Sequence, residues 1–266
     1  MHWTRSWLAA ACLIAFAAAD GRAGTVIVVD TETFTRPTSE GTATVYLEKN
    51  RLRIDSTEGG TDYTVIYDRG TENKPRYWLI DRRASTYVEV TWRDMQRIRA
   101  QAERSRKAID RQIQNLTPER KRQMERLYRR PVDELAKDPA RPEYRKVSTG
   151  TRVSHWTCDQ YEGYQGGEKR EDVWAAAWGA LGITRADLVV FGDMADMFEG
   201  AGQRLPAFFS FAREDAAGVE GFPIMVVAYE GESPSERSKV RELRREPIDP
   251  QLFKLPEGLT RRNISQ

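Results

Sequence analysis

The chain has 266 residues with 42 basic and 40 acidic side chains, a net charge of +2 and two cysteines. Only Cys158 lies beyond the first 23 residues, so the rest of the chain can form no internal disulfide and its fold must be held by an apolar core. No later segment is apolar for long enough to cross a bilayer, which takes roughly 20 residues.

Residues 1–23 have the layout of a cleavable secretory signal peptide. Arg5 gives a positive start, an uncharged run from Ser6 to Ala19 follows, and small residues offer cleavage after Ala19 or after Ala23. Cys12 does not make a lipoprotein box, because Ala9 stands where a Leu is expected. The expectation is an exported protein, periplasmic or secreted and soluble, whose residues 24–266 form one domain.

The next third predicts six antiparallel strands. Thr25 to Asp30 is a β-branched run, and Thr42 to Glu48 alternates Ala43, Val45 and Leu47 with polar or aromatic neighbours. Arg51 to Asp55 follows after Lys49-Asn50, with Leu52 and Ile54 on one face. Asp62 to Asp68, Arg76 to Asp81 and Thr86 to Trp92 complete the set, punctuated by Gly59-Gly60 and by Arg82 to Ser85. Short alternating runs with polar turns between them are the pattern of an up-and-down meander with one covered and one wet face.

The period then becomes helical. Ile98, Ala102, Ile109, Ile113 and Leu116 form a thin apolar stripe, and Thr117-Pro118-Glu119 starts a second helix with an N-cap, a proline at the first position and an acid in the first turn. Pro131, Pro139 and Pro142 then break the chain, so 93–146 reads as a helical insertion between two β segments. From Arg93 to Arg130 there are thirteen Lys or Arg against five Asp or Glu. That net +8 sits on an acidic remainder, the strongest electrostatic asymmetry in the chain.

Strands are expected again at 149–158, 161–164 and 168–177, with a hairpin turn at Gly166-Gly167. Thr184 and Asp187 form a capping box for a helix whose apolar stripe is Leu188, Phe191, Met194 or Ala195, and Phe198. A short helix over 205–213, strands over 222–229 and 239–246, and a Pro250–Pro256 segment close the pattern. The fold class is α+β.

The order of these features resembles the LolA/LolB-like periplasmic proteins, and most of all a secreted branch of that superfamily classed as a domain of unknown function. The strand ending YLEKNRLRID, the strand TVIYD, then YWLIDRRASTYVEV, GTRVSHWTCDQYEG, EDVWAA and the closing IDPQLFKLPEGL carry the likeness. It implies an incomplete antiparallel β-barrel wrapped around helices and enclosing an apolar cavity, which in the carriers holds lipoprotein acyl chains. The long basic helical insertion departs from the carrier pattern, and no functional residue transfers by position.

The candidate cavity wall is Val45, Leu47, Leu52, Ile54, Val65, Tyr67, Tyr77 and Leu79, with Tyr46, Trp78 and Tyr87 on the opposite face. Either face could be inward. The alternative for the wall is ordinary core. The basic arm offers Arg97, Arg104, Lys107, Arg111, Arg122 and Arg126 to an anionic envelope surface or a protein partner; the alternatives are a plain solvated helical surface or contact with the acidic body of the same chain. Nucleic acid is not expected, because no reading motif accompanies the charge. No cofactor or metal is expected: one histidine remains beyond the N-terminal segment, and no spaced Cys/His cluster exists. On a continuous strand His155 and Cys158 would point to opposite faces, so Cys158 reads as a buried thiol rather than a nucleophile. Glu171 and Asp172 diverge and read as solvated. The sequence thus favours a non-enzymatic binding protein with a lipid or lipoprotein acyl chain as ligand. The alternative is an interaction module without a ligand that docks through its basic arm.

Overall fold

The computed structural model of the protein describes residues 23–35, 37–70, 74–128, 142–200 and 218–263. Residues 1–22, within the expected signal peptide, and the helix expected over 205–213 lie outside the described residues. The six N-terminal strands form as β1 (Gly24–Thr33), β2 (Ser39–Glu48), β3 (Arg51–Glu58), β4 (Thr61–Asp68), β5 (Arg76–Asp81) and β6 (Thr86–Thr91), each paired antiparallel with the next. Their turns fall where the polar dipeptides place them, with Gly59, Gly60 and Ser85 at positive φ.

Thr91 ends β6 and caps α1 (Trp92–Gln114): its hydroxyl accepts the Asp94 N–H at 3.4 Å while the Asp94 carboxylate accepts the Thr91 N–H at 3.0 Å. Asn115 closes α1, and α2 (Pro118–Tyr128) restarts at the predicted proline. The next strand, β7 (Glu143–Val153), begins inside the stretch read as insertion.

The strand expected over 149–158 is two strands. The chain reverses at Ser154-His155, where Ser154 has φ 55°, and β8 (Trp156–Gln165) runs back along β7. The pattern missed this turn because Ser-His carries none of the usual Gly, Pro or Asn punctuation. β9 (Glu168–Ala176) follows the Gly166-Gly167 turn. A short helix α3 (Trp178–Leu181), one 3₁₀ turn (Arg185–Leu188) behind the Thr184–Asp187 capping box, and α4 (Val189–Gly200) come next. β10 (Phe222–Glu230), β11 (Ser233–Glu246), a 3₁₀ turn (Pro250–Phe253) and β12 (Thr260–Arg262) complete the described residues.

All twelve strands join one sheet in the order β12-β6-β5-β4-β3-β2-β1-β11-β10-β9-β8-β7. It is antiparallel except at one edge, where β12 pairs parallel with β6. The two edge strands, β12 and β7, do not pair with each other, so the sheet is open rather than a closed barrel. At its centre β1 pairs with β11, from Gly24↔Glu246 to Thr33↔Glu236.

One large apolar cluster joins the two halves. It takes Ile27, Val29, Val45, Leu47, Leu52, Ile54, Tyr67, Tyr77 and Val90 from β1–β6, and Cys158, Ala176, Phe222, Ile224 and Val240 from the later strands. Leu181, Ile183, Leu188, Phe191 and Met194 fill it from the 178–200 segment, and Met95 from α1. The opposite face of β1–β4 is covered by the Ile248–Phe253 segment. Ile248 and Phe253 pack on Val26, and Arg53 donates from Nη1 to the Leu252 carbonyl at 2.9 Å. The closing IDPQLF motif is therefore a strap across the sheet.

Both faces of β9 are buried, since Ala176 joins the large cluster and its neighbour Ala175 a second one with Tyr161, Val173, Val219 and Val226. This corrects the reading of Glu171 and Asp172 as solvated: they diverge, yet both are buried. Asp172 accepts from the Tyr229 hydroxyl at 2.7 Å and pairs with Lys169 at 2.8 Å. Glu171 accepts from Tyr144, and a Cβ on Gly163 would fall 2.8 Å from atoms of both side chains. Burial pushes the Glu171 carboxyl above its ordinary value of 4.5, while the Tyr144 hydrogen bond pulls it down. A carboxyl whose pKa is higher folded than unfolded favours the fold only while protonated. Its contribution is complete below about 4.5 and is lost as the pH climbs through the raised folded value. Glu171→Gln is therefore expected to raise the melting temperature at pH 7, with the gain closing as the pH falls toward 4.5; a variant equal to or less stable than the parent at pH 7 contradicts this.

Candidate apolar binding face

The eight predicted wall residues form two cross-strand rows on one face of β2–β5. Leu47, Leu52, Tyr67 and Tyr77 pair in sequence across the four strands, and Val90 of β6 extends the row. Val45, Ile54, Val65 and Leu79 make the second row, extended by Val88. Neighbours of this kind contact directly, so each row is a continuous apolar ridge. Of the two faces left open by the sequence, this is the one turned to the helices, because Met95, Leu188, Phe191 and Met194 share its cluster. Tyr46, Trp78 and Tyr87 point the other way by alternation.

Cover over the rows is uneven. The first row is sealed: Leu47, Leu52, Tyr67 and Tyr77 are at most 1% exposed. The second row opens along its length, from Val45 at 0% and Ile54 at 8% to Val65, Leu79 and Val88, which are only half-buried. One step further along β4, on the same face, Tyr63 is 49% exposed. The apolar face therefore runs from a packed interior to an accessible rim on β4–β6.

The packed end is fastened by a polar latch. The Tyr67 hydroxyl donates to Asp193 of α4 at 2.9 Å, and the Arg69 guanidinium lies 3.2 Å from the same carboxylate. The Tyr67 ring leans on Tyr77 at 4.7 Å between centroids. Burial and the neighbouring Tyr77 and Asp193 raise the Tyr67 hydroxyl far above its ordinary range, so it stays a donor. Sequence reading named Tyr67 and Tyr77 but missed Val88, Val90, Tyr63, Arg69 and Asp193. Val88 and Val90 lay in plain alternation in TYVEVTW; the Asp193 contact spans 126 residues and leaves no periodic trace.

A concavity of about 690 Å³ lies elsewhere on the sheet, lined mainly by polar residues. Asp30, Glu32, Thr42, Thr57, Arg237 and Arg241 line it, with Asp30 held by Thr42 and Arg241 at 3.1 Å each. Its paired charges do not suit an acyl chain. Cys158 is 1% exposed, and burial pushes its thiol up to about 11, so it is a packing residue. His155 is exposed in the turn, its ring 3.7 Å from that of Trp156. Among the described residues no group of three or more His, Cys, Asp or Glu could hold a metal ion, and no helix is long and apolar enough to cross a membrane.

All six predicted cationic residues stand on the exposed surface of α1 or α2. Arg97 pairs with Asp94 at 2.8 Å and Arg122 with Glu119 at 3.3 Å, each within its own helix. Arg104 and Arg111 donate to backbone carbonyls one turn back, and Lys107 and Arg126 are exposed.

No family model and no curated protein matches the chain. Among solved structures it is similar to PNGF-II at TM-score 0.39 and 8% identity, over 91% of this chain and 31% of that one. It is similar to the Pseudomonas aeruginosa MucA/MucB complex at TM-score 0.37 and 12% identity, over 88% of this chain and 56% of the other. A DUF1329 family protein from Desulfovibrio piger gives TM-score 0.27 and 11% identity, over 89% and 91%. The chain thus spans about a third and about half of the first two. At such low scores, function has to be argued from this chain's own residues.

If the latch fixes α4 over the first row, Tyr67→Phe and Asp193→Asn should be non-additive. Hydrogen bonds to charged groups contribute about 1.5–3 kcal/mol, so a coupling of about 1.5 kcal/mol is expected in a double-mutant cycle of denaturant unfolding. Additive losses would show that the contact does no more than the two side chains do separately.

Proposed function

We propose that the protein is an exported, non-enzymatic binding protein that holds a lipophilic or lipid-modified ligand against the rows on β2–β6. The observation that supports this reading is the graded cover of those rows. A chain that packs its first row to 1% exposure or less leaves Val65, Leu79 and Val88 half-covered beside an exposed tyrosine, on the face that also carries its main core. The resemblance to LolA/LolB-like carriers implies an apolar site for acyl chains, without fixing its residues. An acyl chain laid along the second row would gain about 0.8 kcal/mol per buried methylene. A dozen methylenes then contribute about 10 kcal/mol against an association cost of about 4–15 kcal/mol, which allows useful affinity without a charged or catalytic group. The buried, high-pKa thiol of Cys158 has no part in this function.

The test is direct. Protein purified without detergent is extracted with organic solvent, and the extract is weighed against the protein by mass spectrometry. Lipid in near-stoichiometric amount is expected. It should be lost from the double variant Val65→Thr/Leu79→Gln, which makes the second row polar at nearly constant volume, while the β-sheet circular dichroism is kept. Clean extracts from repeated preparations, or a double variant loaded like the parent, overturn the proposal.

A further inference from the structure

Among the described residues, the basic face of α1 meets no acidic counterpart beyond its own helix. Arg93, Arg97, Arg104, Lys107 and Arg111 are exposed, and at about 100° per residue they fall within about 40° of one line along the helix. That line is about 27 Å long between Arg93 and Arg111 at 1.5 Å per residue. Asp94, Glu103 and Asp110 stand to the sides of it rather than on it. The opposite side of the helix is its apolar one: Met95 and Ile113 are each 3% exposed, and Ile98 and Ala102 are half-buried. The helix therefore rests on its greasy side and turns a straight row of cations outward.

These cations are not spent on the acidic body of the chain. Among the described residues, Arg93, Arg104, Lys107 and Arg111 have no carboxylate partner, and Arg97 pairs only with Asp94 of its own helix. The internal partner left open by composition is thus not met by this stripe among the described residues. Trp92, 40% exposed, stands about 100° to one side of the row, and Ile109, 45% exposed, lies on the opposite side of the helix.

We infer that this face of α1 docks on an anionic phospholipid surface, with the helix lying along the membrane plane. A straight, single-sign row matches a flat sheet of anionic headgroups, toward which each Lys or Arg contributes about 1 kcal/mol. The inference is independent of the proposed ligand, since none of these residues belongs to the two apolar rows.

Sedimentation with phosphatidylcholine vesicles, with and without phosphatidylglycerol, tests it on the whole purified protein. Binding is expected only with phosphatidylglycerol, and it should disappear as salt shortens the Debye length to about 3 Å near 1 M. Each neutralised cation is worth roughly five-fold, so Arg97→Gln/Arg104→Gln/Arg111→Gln should weaken partitioning about 100-fold. The matching triple lysine variant should bind like the parent, because a headgroup plane reads charge and not guanidinium shape. Val65→Thr/Leu79→Gln should also bind like the parent, which separates this docking from the apolar site. Four outcomes overturn the inference: no binding at low salt, unchanged binding by the glutamine variant, loss in the lysine variant, or binding to heparin or nucleic acid without binding to vesicles.

Discussion

An apolar sheet face must be covered, and this chain supplies limited cover. Twelve strands about 4.8 Å apart make a sheet about 50 Å wide, whereas a helix is about 10 Å across. The 178–200 segment therefore cannot tile a flat sheet of that width. The sheet has to curl toward it, and the shared cluster of Ile27, Leu47, Tyr67, Phe222, Leu188 and Phe191 is the result. Pairing β1 with β11 brings the N-terminal meander and the later strands into one surface, so a single helical segment serves both.

Cover is unequal as a consequence. The other face of the meander receives the C-terminal strap, held by Phe253, Ile248 and the Arg53 bond to Leu252. β9 is buried on both faces, which is tolerable for Asp172 because Lys169 and Tyr229 satisfy it. The helix-facing rows are sealed near α4 and open toward Tyr63. Buried polar contacts at Tyr67–Asp193 and Tyr229–Asp172 then fix where helix and strands sit without adding apolar area.

Much of this was legible in the sequence, and the reason is local. Strands β1–β6 announce themselves through alternation and polar turns, and Pro118 and the Thr184–Asp187 box mark helix starts through short-range chemistry. The eight wall residues were readable as one face because alternation fixes parity within each strand, though not which parity is inward. What stayed hidden depends on distant chain segments. The Ser154-His155 reversal lacks turn residues, the parallel β12–β6 pair joins positions more than 170 residues apart, and nothing near Glu171 reveals that Tyr144 and Val219 will bury that face. Asp193 is an ordinary helical acid until β4 is placed beneath it.

Among the described residues two surfaces stand out: an accessible apolar rim on β4–β6 and a cationic line on α1. The rim carries the central claim. Methyl-resolved NMR during titration with a lysophospholipid below its micelle concentration examines it residue by residue. Val65, Leu79 and Val88 methyls should shift together and saturate, with Leu47 and Leu52 responding weakly beneath them. Silence at those three methyls, or small shifts scattered over the molecule without saturation, would contradict the account.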